Sequence, residues 1–440
     1  MHLNGHLEHN VDDNSNRDLI VIGGGLAGLS AALNAAGKGL DVLVLEMKEA
    51  PDREGVIDEL CYPHALKMVL SDYLNFDTTF TPLTRRAFWI LTYDSHTAWE
   101  CVSPSDDLGR SGYVASRPEL DNLLVDRLTA LGGSIRFGAY VSELIQEDKL
   151  VKGVRLANGD EYYAPLVIVA NGASSEFANQ LLSRSRIDVY DQLLVTKEIL
   201  VSHDGPRMRL VGDDHSAASI IILGDPLETG FSWARIISYA NKLIIKAYLP
   251  YNMVSEKQDP QTLIDRIKMH PSISAVVDCF TPESFTKSLI PIGGFEKYPN
   301  LLWGDGFIVT GKAARLYHPF DCRMTDYSIV SGAIAGSSAV DARLNRHPSR
   351  ATTYPDGISA SFILPDRKSM ADFMNEMREK RQWSAVYPEM IFSMTEGVFT
   401  MDARRKGVKK SDMIRELRSK SSIWTMLSDF MRLYKLYGHH

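Results

Sequence analysis

The sequence is poor in cysteine. Its 440 residues contain four, Cys61, Cys101, Cys279 and Cys322, and no two of them form a C-x-x-C pair. That scatter argues against zinc or iron–sulfur ligation, so no metal site is expected, and it suits a reducing compartment. Long apolar runs are also missing: none approaches the roughly 20 residues needed to span a bilayer. The opening stretch, MHLNGHLEHNVDDNSN, has neither the basic nor the apolar region of a signal peptide. The expectation is a cytoplasmic chain with no transmembrane segment and a disordered polar arm, in which His2, His6 and His9 are solvated. There is no excess of positive charge. The formal net charge is −7, which gives no general attraction to nucleic acid. Internal repeats and low-complexity tracts are absent. What remains is 45% hydrophobic and 23% charged, the composition of a globular protein, at a length that implies two or three interleaved domains.

The most informative stretch is Arg17 to Glu46, RDLIVIGGGLAGLSAALNAAGKGLDVLVLE. Leu19 to Ile22 is an apolar run of the kind a buried parallel strand needs. It ends in Gly23-Gly24-Gly25-Leu26-Ala27-Gly28, which satisfies G-x-G-x-x-G. Leu29, Ala32, Leu33 and Ala36 then recur at helical spacing, and a second buried-type strand, Asp41 to Leu45, closes on Glu46. Gly23 permits the tight turn out of the strand, Gly25 permits close approach of backbone to a pyrophosphate, and Gly28 permits close helix packing. Glu46 follows Gly28 by 18 residues, near the position of an acid that bonds a ribose hydroxyl. A dinucleotide-binding fold follows from this combination. Leu26 and Ala27 within the motif and Met47 beyond the acid are further cofactor-binding candidates.

Along the rest of the chain, Phe88 to Tyr93 and Thr97 to Val102 read as a half-buried antiparallel pair. Tyr113 to Arg117 reads as a return to the nucleotide domain, with Pro118 opening a helix through Leu131. Short strands are expected at Ile135 to Phe137, Tyr140 to Glu147, Val151 to Leu156 and Glu161 to Ala164, with a turn at Asn158-Gly159. Leu166 to Ala170 is a buried-type run ending in Asn171-Gly172. Long antiparallel strands are expected at Leu193 to Val201, Ser219 to Leu223, Phe231 to Tyr239 and Leu243 to Leu249, with Phe231 and Trp233 as wall residues of a substrate chamber. Phe307 to Thr310 is a last buried strand, followed by Gly311-Lys312-Ala313-Ala314 and a small-residue helix from Asp326 to Ala342. The remainder is mostly helical. The final helix carries Ile423, Trp424, Leu427, Met431 and Tyr434 on one face, which suits either a cap on the fold or docking to a membrane or partner helix.

The interrupted order of the nucleotide domain resembles the glutathione-reductase-type FAD fold of flavin hydroxylases and related dehydrogenases. Tyr62-Pro63-His64-Ala65-Leu66, Arg86 to Thr92, Lys197-Glu198, Ile290 to Gly294 and Tyr387-Pro388-Glu389-Met390 are similar to segments of one subgroup. That subgroup is the nitrogen-fixation-type electron-transfer-flavoprotein dehydrogenase family, itself similar to electron-transfer-flavoprotein–quinone oxidoreductase and geranylgeranyl reductase. The resemblance implies an α/β fold: a Rossmann FAD domain over 17–80, 112–185 and 290–345, an antiparallel-sheet substrate domain over 81–111 and 186–289, and a C-terminal helical region over 346–440, after the arm at 1–16. It implies FAD as cofactor, with Arg53 in the segment beside the adenosine and pyrophosphate, Arg117 approaching the cofactor, Val141 offering backbone to adenine, Asn171 and Gly172 at the next loop, and Gly311 and Lys312 beside the ribityl chain.

Several residues depart from that family's pattern. Asn171-Gly172 stands where Asp-Gly is usual, and Lys312 where an aspartate normally accepts a bond from a ribityl hydroxyl, which a lysine cannot do. Arg53 to Asp58 and His318 to Met324 replace small-residue and glycine-rich runs. The four-cysteine iron–sulfur module of the quinone oxidoreductase is missing. The implied function is hydride transfer between flavin N5 and an apolar or aromatic small molecule, in a specialised biosynthetic enzyme, with His64, His318 and Asp321 as candidate proton donors or acceptors. Three alternatives stay open: an electron-transfer subunit served by a separate electron-carrier protein, a flavin monooxygenase, and a non-redox descendant. A homodimer is compatible with all four.

Overall fold

In a computed structural model of the chain, the described residues are 16–51, 60–75, 79–103, 112–184, 192–202, 216–224, 232–251, 260–291, 302–318, 323–368, 372, 376, 382–399, 411, 414–415 and 422–438. Arg53, Phe231 and Asp321 lie outside them. A six-stranded sheet runs in the order Trp303–Gly304, Phe307–Val309, Val167–Val169, Leu19–Ile22, Val42–Leu45 and Ser134–Arg136. It is parallel except for the Trp303–Gly304 edge. The inner strands are buried along their whole length, which is why they read as unbroken apolar runs rather than alternations.

The helix Leu26–Ala36, which follows the glycine turn, lies on this sheet and packs against the long helix Met324–Leu344. Two glycines set that distance. A Cβ on Gly332 would stand 2.1 Å from the Ala27 carbonyl oxygen, and one on Gly336 would stand 2.2 Å from that of Ala31. The small residues noticed in this helix are therefore the condition for backbone-to-backbone packing against the nucleotide-binding helix.

A meander of Val141–Glu147, Leu150–Leu156 and Glu161–Tyr163 forms a separate three-stranded sheet. Its second turn holds Gly159 at φ 94°. The third sheet has nine strands. Its main path runs Thr281–Pro291, Gln192–Val201, Lys242–Pro250, Trp233–Tyr239, Ala217–Gly224, Phe80–Leu91, Tyr113–Ala115 and Leu60–Cys61, with His96–Val102 paired to Phe80–Leu91. One feature differs from the sequence-based expectations. Tyr113–Ala115 pairs with Leu60–Cys61 and Phe80–Pro82 and so belongs to this sheet, although the chain enters the helix Arg117–Ala130 directly after it. Ala217–Gly224 runs antiparallel to Trp233–Tyr239, as expected, and parallel to its other neighbour, Phe80–Leu91.

Side chains alternate across the large sheet. Leu193, Val195, Trp233, Ile237, Ile244 and Tyr248 point into one cluster that also holds Ile290 and Tyr317. Ala234, Ile236, Leu243, Ile245 and Ala247 point to the opposite cluster, which the helices Pro260–Met269 and Pro271–Val277 cover. The final helix, Ile423–Gly438, buries Met426 and Asp429 and leaves Trp424 (79%), Leu427 (46%) and Met431 (54%) exposed. These three residues of the stripe recognised in the sequence therefore face outward, and the cap is made by the other side of the helix, where Asp429 accepts from the Tyr387 hydroxyl at 2.5 Å.

Candidate functional site

The parallel strands end their carboxyl edges at a cavity of about 340 Å³, the place where an open α/β sheet binds ligands. Gly23 to Ala27 form its floor, Leu45 to Lys48 one wall, and Ala139 to Val141 and Ala170 to Ser174 the rest of the rim. Gly23 sits at φ 103°, and a Cβ there would meet the Ala170 carbonyl oxygen at 2.7 Å. On Gly28 a Cβ would stand 1.9 Å from the Gly23 carbonyl oxygen, so this glycine is needed for the turn to close on the helix. Gly25 is different. It has φ −78° and ψ 177°, and a Cβ there would meet nothing within 4 Å. The open space beside it is where the helix N-terminus presents its amides to an anion.

Glu46 is fixed from both oxygens. Oε2 accepts from the Gly24 amide at 2.6 Å and Oε1 from the Lys48 amide at 2.9 Å. The carboxylate keeps lone pairs for ribose hydroxyls. On the far side Arg117, 5% exposed, donates from Nε to Asp121 Oδ1 at 2.7 Å. Its Nη1 is buried with no hydrogen-bond partner among the described residues. A buried, unsatisfied guanidinium N–H on a cavity wall costs free energy unless a ligand accepts from it. A helix N-terminus, an open glycine and an orphaned guanidinium N–H offer donors to the pyrophosphate of a dinucleotide, a doubly held acid offers an acceptor to its ribose, and the residues present fit FAD.

Lys312 also lines the cavity. The turn that carries it, Gly311–Ala314, is pinned by the Gly311 amide donating to Ser331 Oγ at 3.2 Å. Gly311 itself holds φ 59° with its Cα facing the Ala27 methyl, so it shapes the turn rather than the cavity wall. Arg117, Val141, Asn171, Gly172 and Lys312 thus come together with the glycine motif, although they are spread over the chain.

The two described proton-transfer candidates, His64 and His318, are placed elsewhere. His64, with 48% of its side chain exposed, approaches Asp326 Oδ2 at 3.4 Å and meets Phe362 edge-on at 5.3 Å. His318 is 5% exposed and lies 6.2 Å from the Tyr327 ring, which in turn meets Phe362 at 5.4 Å. Both histidines border this aromatic cluster, and neither lines the cofactor cavity. Trp233 is fully buried and stacks on Tyr248 at 5.0 Å and 7°.

Some lining residues were not singled out beforehand. Asp121 was legible from the Arg117–Asp121 spacing of one helical turn. Ser288 and Leu289, which with Ile290 bring the edge of the large sheet to the cavity, had no local signal, because Thr281–Pro291 is a mostly exposed edge strand.

Comparison with known proteins agrees with this geometry. Residues 18–52 match the FAD binding domain family and residues 370–437 match the ETF-QO/FixC family C-terminal domain. The chain is 25% identical over 431 residues to Protein FixC of Azorhizobium caulinodans, covering 94% of this chain and 97% of that protein. It is 26% identical over 399 residues to the probable electron transfer flavoprotein-quinone oxidoreductase YdiS of Escherichia coli, covering 88% and 91%. Among solved structures, a geranylgeranyl bacteriochlorophyll reductase-like protein of Thermoplasma acidophilum superposes with a TM-score of 0.65 at 17% identity, covering 92% of this chain and 99% of that one. The flavin-dependent brominase Bmp2 superposes with a TM-score of 0.62 at 14% identity, covering 92% and 100%.

Proposed function

We propose that this chain, an FAD-dependent oxidoreductase resembling FixC and electron-transfer-flavoprotein–quinone oxidoreductase, exchanges a hydride with an apolar or aromatic small molecule as a specialised biosynthetic enzyme. Bound FAD supplies the hydride chemistry, and the protein supplies orientation and exclusion of water. The observation that carries the reading is the junction of two surfaces. Ile290 lines the cofactor cavity and also packs in the cluster formed by Trp233, Tyr248, Leu193 and Val195. An apolar ring seated against that wall would lie beside the cofactor with little water.

In this reading Gly23 to Ala27 and Arg117 hold the pyrophosphate, Glu46 the ribose, Val141 the adenine, and Lys312 a phosphate oxygen. Asn171 and Gly172 close the rim. His318 is the buried candidate for moving a proton, and His64, paired with Asp326, is the solvent-side one. A second reading, electron transfer between a carrier protein and a small acceptor, is favoured by the C-terminal domain match and by the length over which the FixC likeness extends.

The test is spectroscopic. Protein loaded with FAD should show bands near roughly 370 and 450 nm. Anaerobic mixing with a panel of aromatic and polyene dihydro-compounds should bleach the longer-wavelength band. Bleaching by a reduced electron-carrier protein, and by no small molecule, would replace the first reading with the second.

A further inference from the structure

Three elements that reach the cofactor cavity also pack against one another. The helix Leu26–Ala36 brings Leu26 and Ala27 to it, the turn Gly311–Ala314 brings Lys312, and the helix Met324–Leu344 brings Ser328. They approach almost backbone to backbone. A Cβ on Gly311 would stand 2.5 Å from the Ala27 methyl, and one on Gly332 would stand 2.1 Å from the Ala27 carbonyl oxygen. Small residues permit that approach but do not hold it in one orientation, because apolar contact is non-directional.

Ser331 supplies the direction. It is fully buried and lies three residues beyond Ser328, on the same side of the helix. Its Oγ accepts from the Gly311 amide at 3.2 Å and donates to the Tyr327 carbonyl oxygen of its own helix. One hydroxyl therefore ties the turn to the helix through both its acceptor and its donor capacity. Without that oxygen the Gly311 amide would be left buried and unsatisfied, which costs more than the bond itself contributes.

The residue it holds is the hinge of the turn. Gly311 sits at φ 59°, and a glycine is free to leave that conformation unless something fixes it. Lys312 follows immediately, so a rotation at Gly311 swings the lysine relative to the cavity that it lines. We propose that Ser331 is a positioning residue for the cofactor: its hydroxyl locks Gly311 so that Lys312 presents its ammonium group to a phosphate oxygen of FAD, and it acts on FAD affinity through Lys312. The inference rests on that placement of Lys312 and is independent of hydride transfer and of the substrate.

The experiment titrates FAD into the flavin-free full chain at low and at high ionic strength, read by the change in flavin fluorescence. Wild-type affinity should fall as salt screens the ammonium–phosphate contact. Ser331→Ala, which trims one oxygen and leaves a good helix former, should weaken FAD by roughly ten-fold at low salt and lessen the salt dependence. Lys312→Ala should do the same, and the double variant should bind no more weakly than Lys312→Ala alone, because one residue acts through the other. Ser331→Thr, which keeps the hydroxyl, should retain salt-dependent binding. Ser331→Cys, which keeps the shape with a weak acceptor, carries the comparison if Ser331→Ala does not fold. Wild-type affinity in Ser331→Ala and Ser331→Cys, or losses that add in the double variant with the salt dependence intact, would mark a merely structural serine and overturn the positioning role. Wild-type affinity in Lys312→Ala would overturn the placement of Lys312 and the role with it, while hydride transfer stands or falls on the bleaching experiment alone.

Discussion

Arg117 and Asp121 stand one helical turn apart on the cavity wall, joined Nε to Oδ1 at 2.7 Å and exposed by only 5% and 2%. The carboxylate supplies a fixed counter-charge before any ligand arrives, and it orients the guanidinium so that Nη1 is left for one. Removing one partner of a buried pair costs about 3–5 kcal/mol, because the other charge stays behind.

Asp121→Asn should therefore lower the melting temperature of the FAD-free protein, and FAD should restore more stability to the variant than it adds to the wild type, since the pyrophosphate becomes the counter-charge. Melting curves with and without FAD check this. An equal FAD-induced shift in both proteins would mean that Arg117 does not meet the cofactor.

Two glycines of the motif should separate binding from folding. Gly25→Val adds atoms only to open space, so the variant should fold with a near-native melting temperature while losing FAD by roughly a hundred-fold or more, as a side chain fills the phosphate position. Gly28→Val meets the Gly23 carbonyl and should fail to fold. Soluble yield and flavin absorbance distinguish the two outcomes.

Helix packing behind the motif gives a third expectation. Gly332→Ala brings a methyl to 2.1 Å from the Ala27 carbonyl oxygen. Pushing the helices apart should destabilise the protein by about 1–3 kcal/mol and loosen FAD as well, because the displaced residue belongs to the phosphate-binding turn. Urea unfolding and flavin release report the two effects.

His96 stacks on Trp89 at 4.4 Å and is held below the usual imidazole value, first by burial and then by the nearby His270. A depressed folded value means that the unfolded chain takes up the proton first. The stability tied to a neutral His96 is thus complete above the ordinary value of 6.5 and is lost as pH falls below it. His96→Asn should flatten the fall in melting temperature between about pH 6.5 and pH 5, measured by calorimetry.

In the proposed reading Trp233 serves both folding and specificity, and two substitutions separate them. Trp233→Ala should cost about 3–5 kcal/mol, as expected for emptying a buried indole site. Trp233→Phe should keep the fold and raise KM for an aromatic substrate more than it lowers kcat, which steady-state kinetics would show.

The nucleotide-binding crevice was legible from Arg17 to Glu46 because its parts are contiguous. A buried strand, a glycine turn, a helix and an acid follow one another within a single unit, so spacing along the chain already fixes spacing in space. The Arg117–Asp121 pair was readable for the same reason. The long strands from Gln192 to Pro250 were also visible, since one strand's composition is a local property. Tertiary structure decided everything that depends on non-local pairing. It made Ala217–Gly224 run parallel to Phe80–Leu91, turned Trp424 and Met431 outward, and put His64 and His318 beside the Tyr327 and Phe362 rings. It also brought Ile290 to the cavity at the carboxyl edge of the parallel sheet. No spacing along the chain encodes those approaches, because each arises from the way whole sheets and helices pack once their apolar faces have found one another.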